Sequence, residues 1–261
     1  MKELAYYDGE IGTPDEVKVP FNDRVHFFGD GVYDATVGGN HKVYLLKDHL
    51  DRFYSSAAAL DIKIPMEKAA LGKLLTELLE QVEGQTHFVY WQVTRGAAAR
   101  NHVYSEDMKG KLWVMIRPNK LKDPEQPIRL ITREDKAGAD ETVFHRGEIV
   151  TECAHSNVSI LKDGVFISHP NDNLILRGIS KTHMIQACYE LGIQVMERPF
   201  TLEELRQADE IIVTSSSNFC LHAESVDGVK AGGKDPVTLK RIQDAVIGEY
   251  LEYTGKDSIF D

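Results

Sequence analysis

The chain has 261 residues, 42% of them hydrophobic, with a formal net charge of −11 and a pI near 5.4. That length and apolar content suffice for one large domain or two moderate ones. The acidic balance argues against a phosphate-neutralising nucleic-acid surface and against attachment to anionic membranes. No run approaches the ~18 apolar residues that a bilayer span needs, and the opening MKELAYYDGEIG has no apolar signal-peptide core. Cys153, Cys188 and Cys220 are widely spaced. They read as buried reduced thiols of a cytoplasmic protein, with neither a disulfide framework nor a metal site.

In chain order, AYYDGEIG is a strand entering an Asp8-Gly9 hairpin turn. HFFGDGVYDATVGGNHKVYLL reads as two strands about a Gly39-Asn40 turn. KDHLDRFYSSAAALDIKI sets Leu50, Phe53, Ala57 and Leu60 at helical spacing. MEKAALGKLLTELLEQV gives a second helix, with Leu71, Leu74, Leu75, Leu78 and Leu79 on its apolar face. HFVYWQVTRG and KLWVMIRP are strands. The proline- and charge-rich RPNKLKDPEQ then marks a boundary. The expected organisation is an α+β domain over 1–118, a linker over 119–126 and a second α+β domain over 127–261, with the site in the cleft between them. The second domain is expected to carry strands in PIRLIT, VFHRGEIVTE, NVSILKDGVFISHP and EIIVTSSSN. Its expected helices are ISKTHMIQACYELGI, stopped by Gly192, TLEELRQA, with Thr201 and Glu204 as a capping box, and the closing PVTLKRIQDAVIGEYLEYTG.

Several short stretches could carry chemistry. TSSSN (214–218) puts hydroxyls and free amides at a strand end, an oxyanion cradle or an ordinary Ser-rich turn. LRGISKTH (176–183) places Ser180 where a helix starts, either an anion site or a plain N-cap. Arg52 in HLDRF suits a bidentate phosphate contact or a solvated helix face. Glu152 in VTECAHSN could meet a protonated ring nitrogen or sit on a surface turn. TRGAAARNH (94–102) concentrates Arg95, Arg100 and His102 on a small-residue loop, a trap suited to a carboxylate.

Taken together and in this order, FGDGVY, HLDR, YWQVTRGAAARNH, VTE with SN, HPNDNLILRGIS, PFTLEEL and ADEIIVTSSS become specific. The chain resembles the fold-type IV pyridoxal-phosphate enzymes, which include D-amino-acid transaminase, branched-chain aminotransferase and aminodeoxychorismate lyase. The likeness extends from YYDGEI to the last helix. Its Arg-Asn-His loop resembles that of the D-amino-acid enzymes. The resemblance implies pyridoxal 5′-phosphate held at its phosphate by Arg52, Ser180 with the Ile179 backbone, and Ser216. It implies Glu152 at the pyridine nitrogen and Leu176 on the ring face. It implies Tyr33, Arg100 and His102 around the carboxylate of an amino-acid or 2-oxo-acid substrate, Arg95 in a structural part, and a homodimer.

One departure matters for activity. The family joins its cofactor to a lysine that lies just after the first strand of the second domain. Here PIRLITRED runs directly into KAGADETVFHRG. The lysine-bearing segment and most of the helix after it have no counterpart, so the second domain reads as shortened by an internal deletion. Lys136 at the junction is the one lysine in the right neighbourhood. Lys120 and Lys122 belong to the linker, Lys162 to a hairpin turn and Lys181 to a helix. Two readings follow: a D-amino-acid transaminase, or a catalytically impaired homologue that binds the cofactor. Aminodeoxychorismate lyase is a third, which the Arg-Asn-His loop disfavours.

Overall fold

The computed structural model describes residues 1–132 and 140–260. Lys136 therefore lies outside the described residues. The chain divides into two compact units, Met1–Lys120 with Leu251–Asp261, and Leu121–Tyr250.

The first unit is built on a six-stranded antiparallel sheet ordered β2-β1-β6-β5-β3-β4. Its strands are β1 (Leu4–Tyr7), β2 (Glu10–Gly12), β3 (Gly31–Gly39), β4 (Lys42–Val43), β5 (Thr86–Thr94) and β6 (Lys111–Pro118). Period-two patterning decides which face is covered. Val89, Trp91 and Val93 of β5 and Leu112, Val114 and Ile116 of β6 all enter one core. Helices α2 (Leu46–Ala59) and α3 (Lys68–Leu79) supply the other half of that core through Leu50, Phe53, Ala57, Leu71, Leu75, Leu78 and Leu79.

Three sequence expectations need correction here. Leu60 does not join the helical face: α2 ends at Ala59, and Leu60 at the C-cap is 48% exposed. The Phe27–Phe28 stretch is not strand but a short helix, α1 (Val25–Phe28). The Asp23 carboxylate accepts from the Val25 amide at 3.0 Å and starts that turn, and Gly29 at φ 61° ends it. The β3–β4 turn lies one residue later than expected. Gly39 still pairs with Lys42, and Asn40 and His41 take the positive φ values of 49° and 61°.

The second unit holds β7 (Ile128–Ile131), β8 (Glu141–Arg146), β9 (Ile149–Cys153), β10 (Asn157–Lys162), β11 (Val165–Ser168), α4 (Ile179–Glu190), β12 (Gln194–Glu197), β13 (Phe200–Thr201), α5 (Leu202–Gln207), β14 (Glu210–Ser215), β15 (Asn218–Val226), β16 (Val229–Lys230) and α6 (Pro236–Thr254). Among the described residues the sheet runs β12-β11-β10-β14-β15-β7-β8-β9-β13. Its parallel joins are β11–β12, β15–β7 and β7–β8. The Thr201–Glu204 capping box forms as the sequence requires, and Gly192 at φ 71° follows the end of α4. The last turn of α6, from Leu251, groups with the first unit, where the Lys42 ammonium donates to the Tyr253 carbonyl at 3.1 Å. The three cysteines are buried thiols. No described helix is long and apolar enough to cross a membrane, and the described residues form no metal-holding cluster.

Candidate cofactor site

The first turn of α4 has backbone donors to spare. Its first intrahelical bond runs from the Thr182 amide to the Gly178 carbonyl at 3.1 Å, which leaves the amides of Ile179, Ser180 and Lys181 without an intrahelical partner. Gly178, not Ser180, occupies the N-cap, and it offers no side-chain cap. Ser180 sits in the first turn, 7% exposed, and its hydroxyl bonds to no described residue. The sequence alternative of Ser180 as a plain cap is thereby corrected.

The sheet beneath completes the arrangement. Asn157 of β10 stands opposite Thr214 of β14, so their side chains share one face. The Asn157 amide donates to the Leu176 carbonyl at 3.0 Å, which places that face under the Leu176–Ser180 segment. Glu152 of β9 takes the other end of the same residue, its Oε2 accepting from the Leu176 amide at 2.7 Å. Leu176 is thus held at both backbone groups while its side chain stays 61% exposed. Thr214 is 2% exposed, and its hydroxyl is buried without a partner among the described residues. A buried hydroxyl left unpaired costs about 1–3 kcal/mol. Thr214 reaches this region through its register with Asn157, whose side chain holds the Leu176 carbonyl. Ser216, with Ser217, forms the turn that follows β14.

Close approach explains Gly178. A Cβ there would lie 1.9 Å from Asn157 Oδ1. Gly178→Ala is therefore expected to displace Asn157 and release Leu176. The expected cost is about 1–3 kcal/mol, the usual penalty of overpacking. Urea unfolding checks the stability loss. An unchanged midpoint would show that the contact relaxes freely.

In the first unit Arg52 is not a solvated helix arginine. Its Nε and Nη2 donate to the Asp34 carboxylate at 2.8 and 2.6 Å, and His49 Nδ1 donates to the same carboxylate at 2.8 Å. Burial works to raise the Asp34 pKa, but the hydrogen bonds and charge of His49 and Arg52 hold it below the usual carboxylate range. Burial lowers the His49 pKa, against the pull of Asp34. Asp34 was absent from the sequence expectations. The signal for it was the i, i+3 spacing of His49 and Arg52, which puts both on one helix face with a shared need for an acceptor.

A pH dependence follows from His49. A histidine whose folded pKa is depressed stabilises the fold above its unfolded pKa of 6.5 and loses that contribution as pH falls below it. Unfolding midpoints are expected to drop between about pH 7.5 and 5.5, and His49→Gln is expected to flatten that slope. An identical slope in the variant would assign the dependence elsewhere.

The 94–102 loop is braced from behind. Arg24 and Arg95 share the Asp30 carboxylate at 2.7 and 3.0 Å. Arg24 also donates to the carbonyls of Asn101 and His102, at 2.6 and 3.3 Å, and Arg95 lies 3.7 Å over the Tyr104 ring. Arg100 and His102 both gather at Phe28, each 5.5 Å from its ring centroid. Tyr33 stacks instead on Tyr90, with centroids 5.3 Å apart.

The chain is an α+β protein whose second unit sets the Glu152 carboxylate and the unused amides of the first α4 turn at the two ends of the Leu176–Lys181 segment. A family model described as Amino-transferase class IV matches residues 31–137 and 132–226. A D-alanine aminotransferase of Listeria monocytogenes serotype 4b is 37% identical over 271 positions, covering 92% of this chain and 93% of that protein. That alignment is longer than the 261-residue chain, so the relative carries residues with no counterpart here. Branched-chain amino acid aminotransferase from Escherichia coli superposes with a TM-score of 0.86 at 19% identity, over 99% of this chain and 96% of that one. An aminotransferase from Brucella abortus bound to pyridoxal phosphate superposes with a TM-score of 0.82 at 17% identity, over 97% and 99% of the two chains. The chain belongs to the class IV aminotransferases, the fold-type IV group.

Proposed function

We propose that this chain binds pyridoxal 5′-phosphate and the amino acids and 2-oxo acids of D-amino-acid transamination, and that amino transfer by it is strongly impaired. The observation that supports cofactor binding is the set of unused amides in the first turn of α4 at one end of a segment whose other end is held by Glu152. Ile179, Ser180 and Ser216 would hold the phosphate. Glu152 Oε1 has no described partner, and it would keep a proton on the ring nitrogen. Leu176 would cover one ring face. Bound there, the cofactor supplies an electron sink for breaking a bond at the substrate Cα. Arg100 and His102 would bind the substrate carboxylate. D-Amino acids are the expected substrates because the relatives spanning nearly the whole chain are D-alanine aminotransferases.

Impairment follows from the sequence, in which the family's lysine-bearing segment has no counterpart. Within the second unit, Lys181 spends its ammonium on His169, Asn171 and Glu197, Lys162 binds Gln207 and Asp209, and Lys234 binds Gln207 and Ala208. One observation favours a second reading, an active transaminase. Lys136 falls in the stretch 132–137 shared by both family matches. A titration with pyridoxal phosphate, followed by borohydride reduction and peptide mapping, separates the readings. Binding without an adduct supports the first, an adduct on Lys136 the second, and no binding rejects both.

The proposal includes a cytoplasmic homodimer. Phe21 and Val103 are 83% and 77% exposed, and a run of ring contacts from Phe21 through Phe27 and Phe28 reaches His102. Such an apolar surface calls for a cover. Sedimentation at micromolar concentration is expected to give twice the chain mass.

A further inference from the structure

Lys181 follows Ser180 directly, in the first turn of α4, and its side chain is 1% exposed. Lysine is almost never buried to this degree unless it is paired. The ammonium carries three protons, and three acceptors face it. It donates to the His169 carbonyl and, at 3.0 Å, to Asn171 Oδ1, and it lies 3.7 Å from the Glu197 carboxylate. Burial lowers its pKa, and Glu197 opposes that shift.

His169 carries the connection onward. It is 1% exposed, and its Nδ1 donates to the Val150 carbonyl of β9 at 3.0 Å. Its Nε2 lies 3.2 Å from Asp172 Oδ2, and Asp172 Oδ1 accepts from the Leu174 amide at 2.8 Å. Val150 and Glu152 stand two residues apart on β9, so a hold on the Val150 carbonyl fixes the strand that carries Glu152. The buried chain from Lys181 through His169 to Val150 therefore ties together the three pieces of the seat. These are the helix start with Ser180, the segment leading to Leu176, and the strand that carries Glu152.

We infer that Lys181 and His169 are positioning residues that fix the distance between the phosphate end of the seat, at Ser180, and its ring-nitrogen end, at Glu152. The inference rests on the cofactor reading above and adds the device that sets the spacing. A ligand that spans both ends feels the spacing, whereas one that fills only the phosphate end does not.

The test measures binding of pyridoxal phosphate and of inorganic phosphate to the full chain. Lys181→Met is expected to weaken pyridoxal phosphate at least about tenfold, roughly the worth of one charge-assisted hydrogen bond. Inorganic phosphate should change less than about twofold, since it fills only the phosphate end of the seat. Lys181→Arg keeps a buried donor set and should hold pyridoxal phosphate within about threefold of the parent. Equal losses for both ligands, or no loss, would overturn the inference. Should Lys181→Met not fold, Asn171→Ala removes a single acceptor from the same ammonium. Its pyridoxal-phosphate affinity should fall about threefold, and the Thr182 amide, bonded to the Gly178 carbonyl, should exchange faster. Unchanged exchange in that turn would overturn the inference even if the parent chain proved unable to bind the cofactor, an outcome that counts only against the functional reading.

Discussion

Assayed beside the Listeria monocytogenes D-alanine aminotransferase, this chain is expected to turn over D-alanine and 2-oxoglutarate at least about a thousandfold more slowly. A positioned acid–base group is typically worth roughly 10²–10⁴-fold, and covalent activation adds to it. Both come from one lysine in this family. The unused amides at the start of α4 and the Glu152–Leu176 bond are present, so binding should outlast the loss of rate. Lys181 cannot take over cheaply, because moving its ammonium would strand the His169 carbonyl and Asn171 without their donor. A soluble amine added to the assay should restore a small part of the rate. Turnover within about tenfold of the relative, with a borohydride-trapped adduct on Lys136, would defeat this expectation and make that residue the catalytic lysine.

Arg52→Ala is expected to have two separable effects. Asp34 is 1% exposed and takes a forked contact from Arg52. Stranding one member of a buried pair costs about 3–5 kcal/mol. The lower end is expected here, since His49 and the Ala35 amide still donate to the carboxylate. Affinity for pyridoxal phosphate should fall separately by about 1.5–3 kcal/mol, the worth of a hydrogen bond to a charged group. Arg52→Lys keeps the charge but loses the fork, so it should regain only part of the stability. Urea midpoints read the first effect and cofactor titration the second. A variant with a parental midpoint would mean that the fork on Asp34 contributes nothing. Parental affinity would remove Arg52 from the phosphate grip.

Much of the molecule is legible in the order of its residues. Period-two runs such as HFVYWQV and helical runs such as LGKLLTELL state which face is buried. The Thr201–Glu204 pair marks a helix start that the fold reproduces bond for bond. Local signals of this kind need only neighbours within about four residues. Where they failed, a contact from farther along the chain or an end effect decided. Phe27 and Phe28 left the strand pattern where the Asp23 carboxylate accepts from the Val25 amide and starts a helical turn. Leu60 fell off its helical face because α2 ended one residue earlier.

The candidate site divides the same way. Motif order alone singled out Arg52, Glu152, Leu176, Ile179, Ser180 and Ser216, because each sits in a short stretch with a recognisable neighbourhood. Their partners were not legible. Asp34 reads as one more acid in a strand until β3 brings it under His49 and Arg52. Asn157 and Thr214 are 57 positions apart and meet only through the β10–β14 register. The sequence places Lys181 only on a helix, and its ammonium is held by Asn171 and Glu197, which lie outside that helix. Side-chain identity and spacing thus determined the chemistry on offer. Register and burial decided which groups are satisfied, because an unpaired polar group is costly only where tertiary packing has removed the water.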